Sequence, residues 1–146
     1  MPTPAERVEV LRRRIGARAA GLWRLKPCGL TQTGFAASPE LSAEVADGFA
    51  RASTSVKLTQ TDLGIVGAAI TGKPSISVAS ALPPEAGSGY WLRAFGADRS
   101  LALPLLDDAG RVLAVVAVAL ANAPLDDQGL LNELRLLALE LDLALA

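Results

Sequence analysis

Hydrophobic positions follow a helical period at both ends of the chain and a shorter, strand-like period between them. Behind Pro4, the residues Val8, Leu11 and Ile15 recur at three- and four-residue spacing, which predicts a helix over residues 4 to about 16. Residues 19–25 and 30–36 read as strands of a hairpin, because Lys26-Pro27-Cys28-Gly29 between them supplies the dihedrals of a reversal. Ser38 as cap and Pro39 at the first position predict a second helix that continues through Leu41, Val45, Phe49 and Ala52. After a polar Ser/Thr link, Thr61 as cap opens a short apolar helix over residues 62–70, stopped by Gly72 and Pro74. Gly64 and Gly67 weaken that helix by about 1 kcal/mol each relative to alanine, so something there requires close backbone approach.

Residues 75–79 form a third predicted strand, and residues 80–98 the least regular stretch, a long loop with Pro83, Pro84, Gly87 and Gly89. Tyr90, Trp91 and Phe95 crowd onto a short helical turn within it, which marks the loop as functional rather than disordered. Residues 99–106 and 112–120 are the clearest strands, and the second is apolar on both faces, as a central strand covered on both sides would be. In residues 126–146, at 100° per residue, Leu130, Leu134, Leu137, Leu141 and Leu145 cluster within about 80°, with Leu136, Leu139 and Leu143 opposite. One sheet satisfies one stripe. The second calls for the N-terminal helix, a second subunit or both, and both are expected because Val8, Leu11 and Ile15 cover part of it. The expected homodimer interface is therefore Val8, Leu11, Ile15, Leu136, Leu139 and Leu143.

With 146 residues the chain suits one domain with one core, and 51% hydrophobic against 4% aromatic residues makes that core aliphatic. The longest apolar run, residues 112–121, is about half a membrane span, and no signal-peptide pattern opens the chain, so a cytoplasmic, membrane-free protein is expected. A net charge of −1 gives no general attraction to nucleic acid. Seven basic groups against Glu6 and Glu9 do gather in residues 1–26, but Arg12-Arg13-Arg14 lacks interleaved aromatics and reads as a solvated helix face. Cys28 is the single cysteine and histidine is absent, which excludes an internal disulfide and a multi-thiolate metal site.

The order helix, hairpin, helical crossover, strand, long loop, antiparallel pair and final helix resembles a GAF domain. The stretch Leu63-Gly64-Ile65-Val66-Gly67-Ala68-Ala69-Ile70-Thr71-Gly72-Lys73-Pro74 is similar to that family's helix ending in a Thr-Gly-x-Pro turn. Asp98-Arg99-Ser100-Leu101-Ala102-Leu103-Pro104-Leu105, followed by Asp108-Ala109-Gly110-Arg111-Val112-Leu113-Ala114-Val115, resembles its paired strands. The likeness extends over roughly residues 20–146. It implies an α+β fold in which a central antiparallel sheet of five to six strands carries the terminal helices on one face. A pocket on the other face is roofed by the middle helices and the long loop. It also implies a sensory or regulatory domain that binds a small molecule and signals through dimer helices, either standing alone or excised from something longer. The rival reading is a ligand-free pairing module, degenerate GAF or roadblock-like, with a collapsed pocket. No cofactor is identifiable: bilin-binding relatives use a Cys-His pair and haem-binding ones a histidine, and the chain has none. Free methionine sulfoxide reductases of the family use several thiols, and one cannot complete an attack-and-resolve cycle. The family's cyclic-nucleotide signature is missing; Asn122 with Asp126-Asp127 is at best a remnant.

The pocket walls are expected from residues 62–70 and the 80–98 loop, giving Asp62, Ile65, Tyr90, Trp91, Arg93 and Arg99 as candidate ligand contacts. Tyr90 and Trp91 either stack on a ligand or plug the cavity. Arg93 and Arg99 either orient an anion or lie solvated. Asp62 doubles as a first-turn carboxylate beside a capping Thr61. No acid/base, nucleophilic or metal constellation emerges, so no enzyme is expected.

Overall fold

The computed structural model describes residues 2–146; Met1 lies outside the description. Helix α1 (Pro4–Ile15) begins where the Thr3 hydroxyl accepts the Glu6 amide at 3.1 Å. Strands β1 (Ala19–Lys26) and β2 (Gly29–Ala37) form the expected hairpin, followed by α2 (Ala43–Ala52) and β3 (Ser55–Val56). Then come α3 (Gly64–Thr71), β4 (Ser75–Val78) and α4 (Gly87–Phe95). A second hairpin of β5 (Arg99–Leu106) and β6 (Val112–Leu120) leads into α5 (Asp127–Glu140). Pairing is antiparallel throughout, in the order β3-β2-β1-β6-β5-β4, which puts β6 at the centre as its two-sided apolarity predicts. Pro104 sits in β5 beyond the point where β4 stops, opposite Ala102, so its missing amide breaks no second ladder.

The two faces of the sheet carry side chains of different size. Toward α1 and α5 point Leu22, Leu101, Leu103, Val116, Val118 and Leu120, which enclose Val8, Leu11, Leu130, Leu134 and Leu137 in the main core. Toward the middle helices point Trp23, Ala102 and Val115 beneath α3, and Ala19 and Ala119 beneath α4. Helix α3 lies close on β4: a Cβ added to Gly64 would stand 3.1 Å from Ser77 Oγ, so the close approach inferred from its glycines is present. Every residue of α2 keeps some exposure, and its main hold on the domain is Phe49, which packs on Trp23, Phe35, Trp91 and Phe95, with Val45 beside it.

Several boundaries differ from those expected. Helix α2 starts at Ala43, not at Pro39, because Ser42 caps it (Val45 amide at 3.2 Å) while Ser38 closes a turn onto the Glu40 amide. Thr61 caps nothing; α3 begins at Gly64, whose amide donates to Ser88 Oγ of α4 at 3.1 Å, so the cap comes from a distant element. The 80–98 loop holds a full helix, α4, and β3 is a strand the sequence did not announce. The final helix stops at Glu140, not at Ala146. Asp142 takes a left-handed φ of 51°, and residues Leu143–Leu145 form a 3₁₀ turn, with Arg24 donating to the carbonyls of Ala144 and Ala146 at 2.9 Å and Arg7 to that of Leu141 at 2.9 Å. Of the arginine cluster, Arg13 is exposed but pairs with Glu9 at 2.7 Å, Arg14 pairs with Glu140, and Arg12 is buried, donating to Glu9 at 2.7 Å and to the Ala17 carbonyl. That pairing holds the Glu9 carboxyl below its ordinary value, chiefly through the hydrogen bond from Arg12, and raises Arg12 in turn.

Candidate functional site

Three adjacent strands place their smallest residues side by side on the face turned to the middle helices. Across the ladder, Gly21 pairs with Ala117 and Ala117 with Ala102; one row on, Ala19 pairs with Ala119 and Ala119 with Ser100. These residues are short; Trp23 covers Gly21, and Ala19, Ala102 and Ala119 pack under the middle helices, but above Ala117 and Ser100 a space stays open. Five rings wall it: Trp23, Phe35, Phe49, Trp91 and Phe95. Leu63, Gly64 and Ile65 at the start of α3, with Ser88 and Leu92 of α4, complete the roof. The chamber measures about 70 Å³, and its lining residues are all buried or half-buried. Ala117, in the innermost strand with neighbours on both sides, is nonetheless half-buried rather than buried, because the chamber opens above it. Among the described residues no charged side chain lines the chamber, and its polar side chains are Ser88 and Ser100, apart from the indoles.

Trp23 fixes one wall. Its ring folds back over Gly21, where an added Cβ would stand 2.6 Å from Cζ3, and its indole N–H donates to the Ser53 carbonyl at 2.8 Å. A second recess of about 120 Å³ adjoins the chamber, lined by Ala52, Ser53, Gln60, Asp62 and Gly87, with Phe49, Leu63 and Trp91 shared between the two. Ala52, Gln60 and Asp62 are exposed, which makes this recess the outer of the pair.

The candidate ligand contacts separate accordingly. Ile65 and Trp91 line the chamber, and Asp62 lines the outer recess with Trp91. Tyr90 points away, 47% exposed, with its ring edge-on to Trp91. Arg93 and Arg99 lie outside both spaces. The Arg93 guanidinium donates to the carbonyls of Gly89 at 3.0 Å and Ala79 at 2.7 Å, which ties α4 to the turn before it. Arg99 donates to Asp127 at 2.5 Å and to the Leu125 carbonyl at 2.6 Å, anchoring the start of α5. Both arginines point along peptide carbonyls rather than into the space, so neither is placed to orient an anion there. The floor of Ala19, Gly21, Ser100, Ala102, Ala117 and Ala119 was not anticipated, although small residues at alternate positions of three strands are a readable signal; Trp23, Phe35 and Phe49 were not anticipated either.

The expected interface residues separate in the same way. Val8, Leu11 and Leu143 are enclosed in the chain's own core at 0% exposure, so they have no surface to offer a partner, and Ile15 packs against that core half-buried. Leu143 is there because the break at Asp142 turns it inward. Leu136 and Leu139 stand out at 69% and 76% exposure, and the same break exposes Leu145 at 81%. Cys28 sits exposed in the β1–β2 turn, and among the described residues no group of metal-ligating side chains is placed to hold an ion. No described helix is long and apolar enough to cross a membrane.

The fold is that of GAF domains. The GAF domain region of a membrane protein from Geobacter sulfurreducens superposes with a TM-score of 0.70 at 13% identity, covering 96% of this chain and 87% of that one. The GAF domain of a phosphoenolpyruvate-protein phosphotransferase from Acinetobacter gives 0.63 at 11% identity, covering 97% and 82%. A type II free methionine-R-sulfoxide reductase from Thermoplasma acidophilum gives 0.63 at 10% identity, covering 94% and 86%. No family model matches the sequence, and no curated protein does.

Proposed function

We propose that this chain is a non-catalytic regulatory module that takes up a small uncharged molecule in the chamber and signals through a homodimer paired on the exposed stripe of α5. The observation that carries this reading is the half-buried Ala117: a central strand whose inner face is left open by a floor of alanines is a built vacancy, with Ser88 and Ser100 to orient a polar group. At about 70 Å³ the space lies well below the roughly 300–1,000 Å³ of pockets for drug-sized ligands. The ligand is therefore a molecule of a few non-hydrogen atoms, not a tetrapyrrole or a nucleotide. The lack of charge in the lining favours a neutral one, because an ion would enter without a counter-charge.

A short route leads from chamber to helices. Ser100 is on the floor, and its neighbour Arg99 holds the N-terminus of α5. At the other end of α5, the exposed Leu136 and Leu139 supply the apolar stripe that a second copy would cover. Free methionine-R-sulfoxide reductases are among the structural neighbours, but here the exposed Cys28 lies outside both cavities, which supports a non-catalytic role. The second reading, a pairing module without ligand, draws on the chamber's small size and its aromatic walls. A thermal-shift screen of small neutral alcohols, ketones and amides, with light scattering on the same samples, separates the two. Ligand-dependent melting of a dimer is expected; a dimer indifferent to every compound supports pairing alone, and a monomer in all conditions refutes the dimer.

A further inference from the structure

We propose that Trp91 is the specificity-determining residue of this site, a movable partition that limits the ligand to molecules short enough for the inner chamber; this rests on the ligand-binding reading above. Trp91, Phe49 and Leu63 line both the chamber of about 70 Å³ and the outer recess of about 120 Å³, so they form the wall between two spaces that together would hold a much larger molecule.

The two tryptophans of the site are held differently. Trp23 is 2% exposed and pinned by its indole hydrogen bond to the Ser53 carbonyl at 2.8 Å. Trp91 is half-buried and has no indole hydrogen bond among the described residues; ring contacts hold it, edge-on to Phe49 and Tyr90 with centroids 5.0 Å apart in each case. Phe49, the other ring of the wall, belongs to α2, every residue of which keeps some exposure. A wall of this kind turns aside at the cost of ring contacts alone, without leaving a buried polar group unpaired.

The two spaces also differ in chemistry. The inner one offers an apolar floor with Ser88 and Ser100; the outer one offers Gln60 and Asp62, both exposed. With Trp91 in place the ligand is a short neutral molecule. With the indole removed, a longer molecule keeps its head on the floor and runs its tail into the outer recess.

The test uses straight-chain methyl ketones from 2-butanone to 2-nonanone, titrated calorimetrically into wild type, Trp91→Ala and, as a control outside both spaces, Ile70→Ala. Wild type and Ile70→Ala should gain affinity over the first members and then level off. Trp91→Ala should go on gaining about fourfold per added methylene, the value of burying one such group. Trp91→Leu, which keeps an apolar side chain but loses the breadth of the indole, should show the same extension and stands in if the alanine variant does not fold. A plateau at the same chain length in wild type and both Trp91 variants overturns the partition while leaving the chamber as a binding site. A wild type that already gains affinity through the whole series also overturns it. Failure of every ketone to bind any of the proteins overturns both this proposal and the ligand-binding reading.

Discussion

The substitution Ala117→Val tests whether the vacancy above the sheet is real, because its effect changes sign with the answer. Ala117 lies at the middle of the floor between Gly21 and Ala102, under a space of about 70 Å³. Valine adds two carbons, each needing about the volume of a water molecule, about 30 Å³, so both fit. Burying them contributes about 0.8 kcal/mol each, and fixing the longer side chain costs about 0.5 kcal/mol, leaving a net gain of about 1 kcal/mol. For a chain of this length that raises the melting temperature by about 2–5 °C. Thermal melts and urea titrations with an unchanged m-value would measure it. The same variant should lose the thermal-shift response to any ligand of the wild-type chamber, since the added methyls occupy its place. A loss of about 1–3 kcal/mol instead, the usual result of overfilling a packed core, would refute the open floor and with it the binding site.

Gly21→Ala should have the opposite sign, because the new Cβ meets the Trp23 ring rather than open space: a loss of about 1–3 kcal/mol is expected, with a shift in tryptophan fluorescence. Leu139→Asp should leave the monomer fold intact while abolishing the proposed dimer in light scattering, whereas Leu143→Ala should cost about 2–5 kcal/mol in a urea melt at any protein concentration, since Leu143 is fully enclosed. Glu9→Gln removes the carboxylate that faces buried Arg12 and should cost about 1–3 kcal/mol near neutral pH. The Glu9 carboxyl is held below its ordinary value of 4.5, so its contribution is complete above that pH and is lost as pH falls through the lowered value. The wild type and Glu9→Gln stability curves should therefore converge in acid, and curves that stay parallel would refute the assignment.

The strands and the sheet-facing stripe of α5 were legible because each answers to a local period: β6 is apolar on both faces, and Leu130, Leu134 and Leu137 repeat along one side of a helix. What escaped the sequence depended on distant partners. The start of α3 is capped by Ser88 of α4, twenty-four residues away, so the nearer Thr61 drew the boundary too early. The end of α5 is set by Asp142 and by Arg24 reaching back from β1, and a helical projection carried on to residue 146 turned Leu143 outward and Leu145 inward, the reverse of what the fold does. The site was half legible. Its roof at Ile65 and Trp91 followed from the loop and its aromatics. The arginines were misjudged because a sequence does not show which carbonyls a guanidinium will find, and the floor was passed over because alanine and glycine in a strand look like filler until their cross-strand neighbours are known to be small too.

The unequal faces of the sheet give the molecule a division of labour. Leucines and valines gathered under α1 and α5 bear most of the apolar burial, while the opposite side is closed in part by an α2 held through Phe49 and Val45 and a hydrogen bond from Gln32 to the Ala50 carbonyl. Changes to that side at Trp91 or Leu63 can reshape the space without touching the leucines and valines of the main core. A scaffold so arranged leaves the shape of that space open to change by a few substitutions, while the layer that holds the terminal helices stays the same throughout.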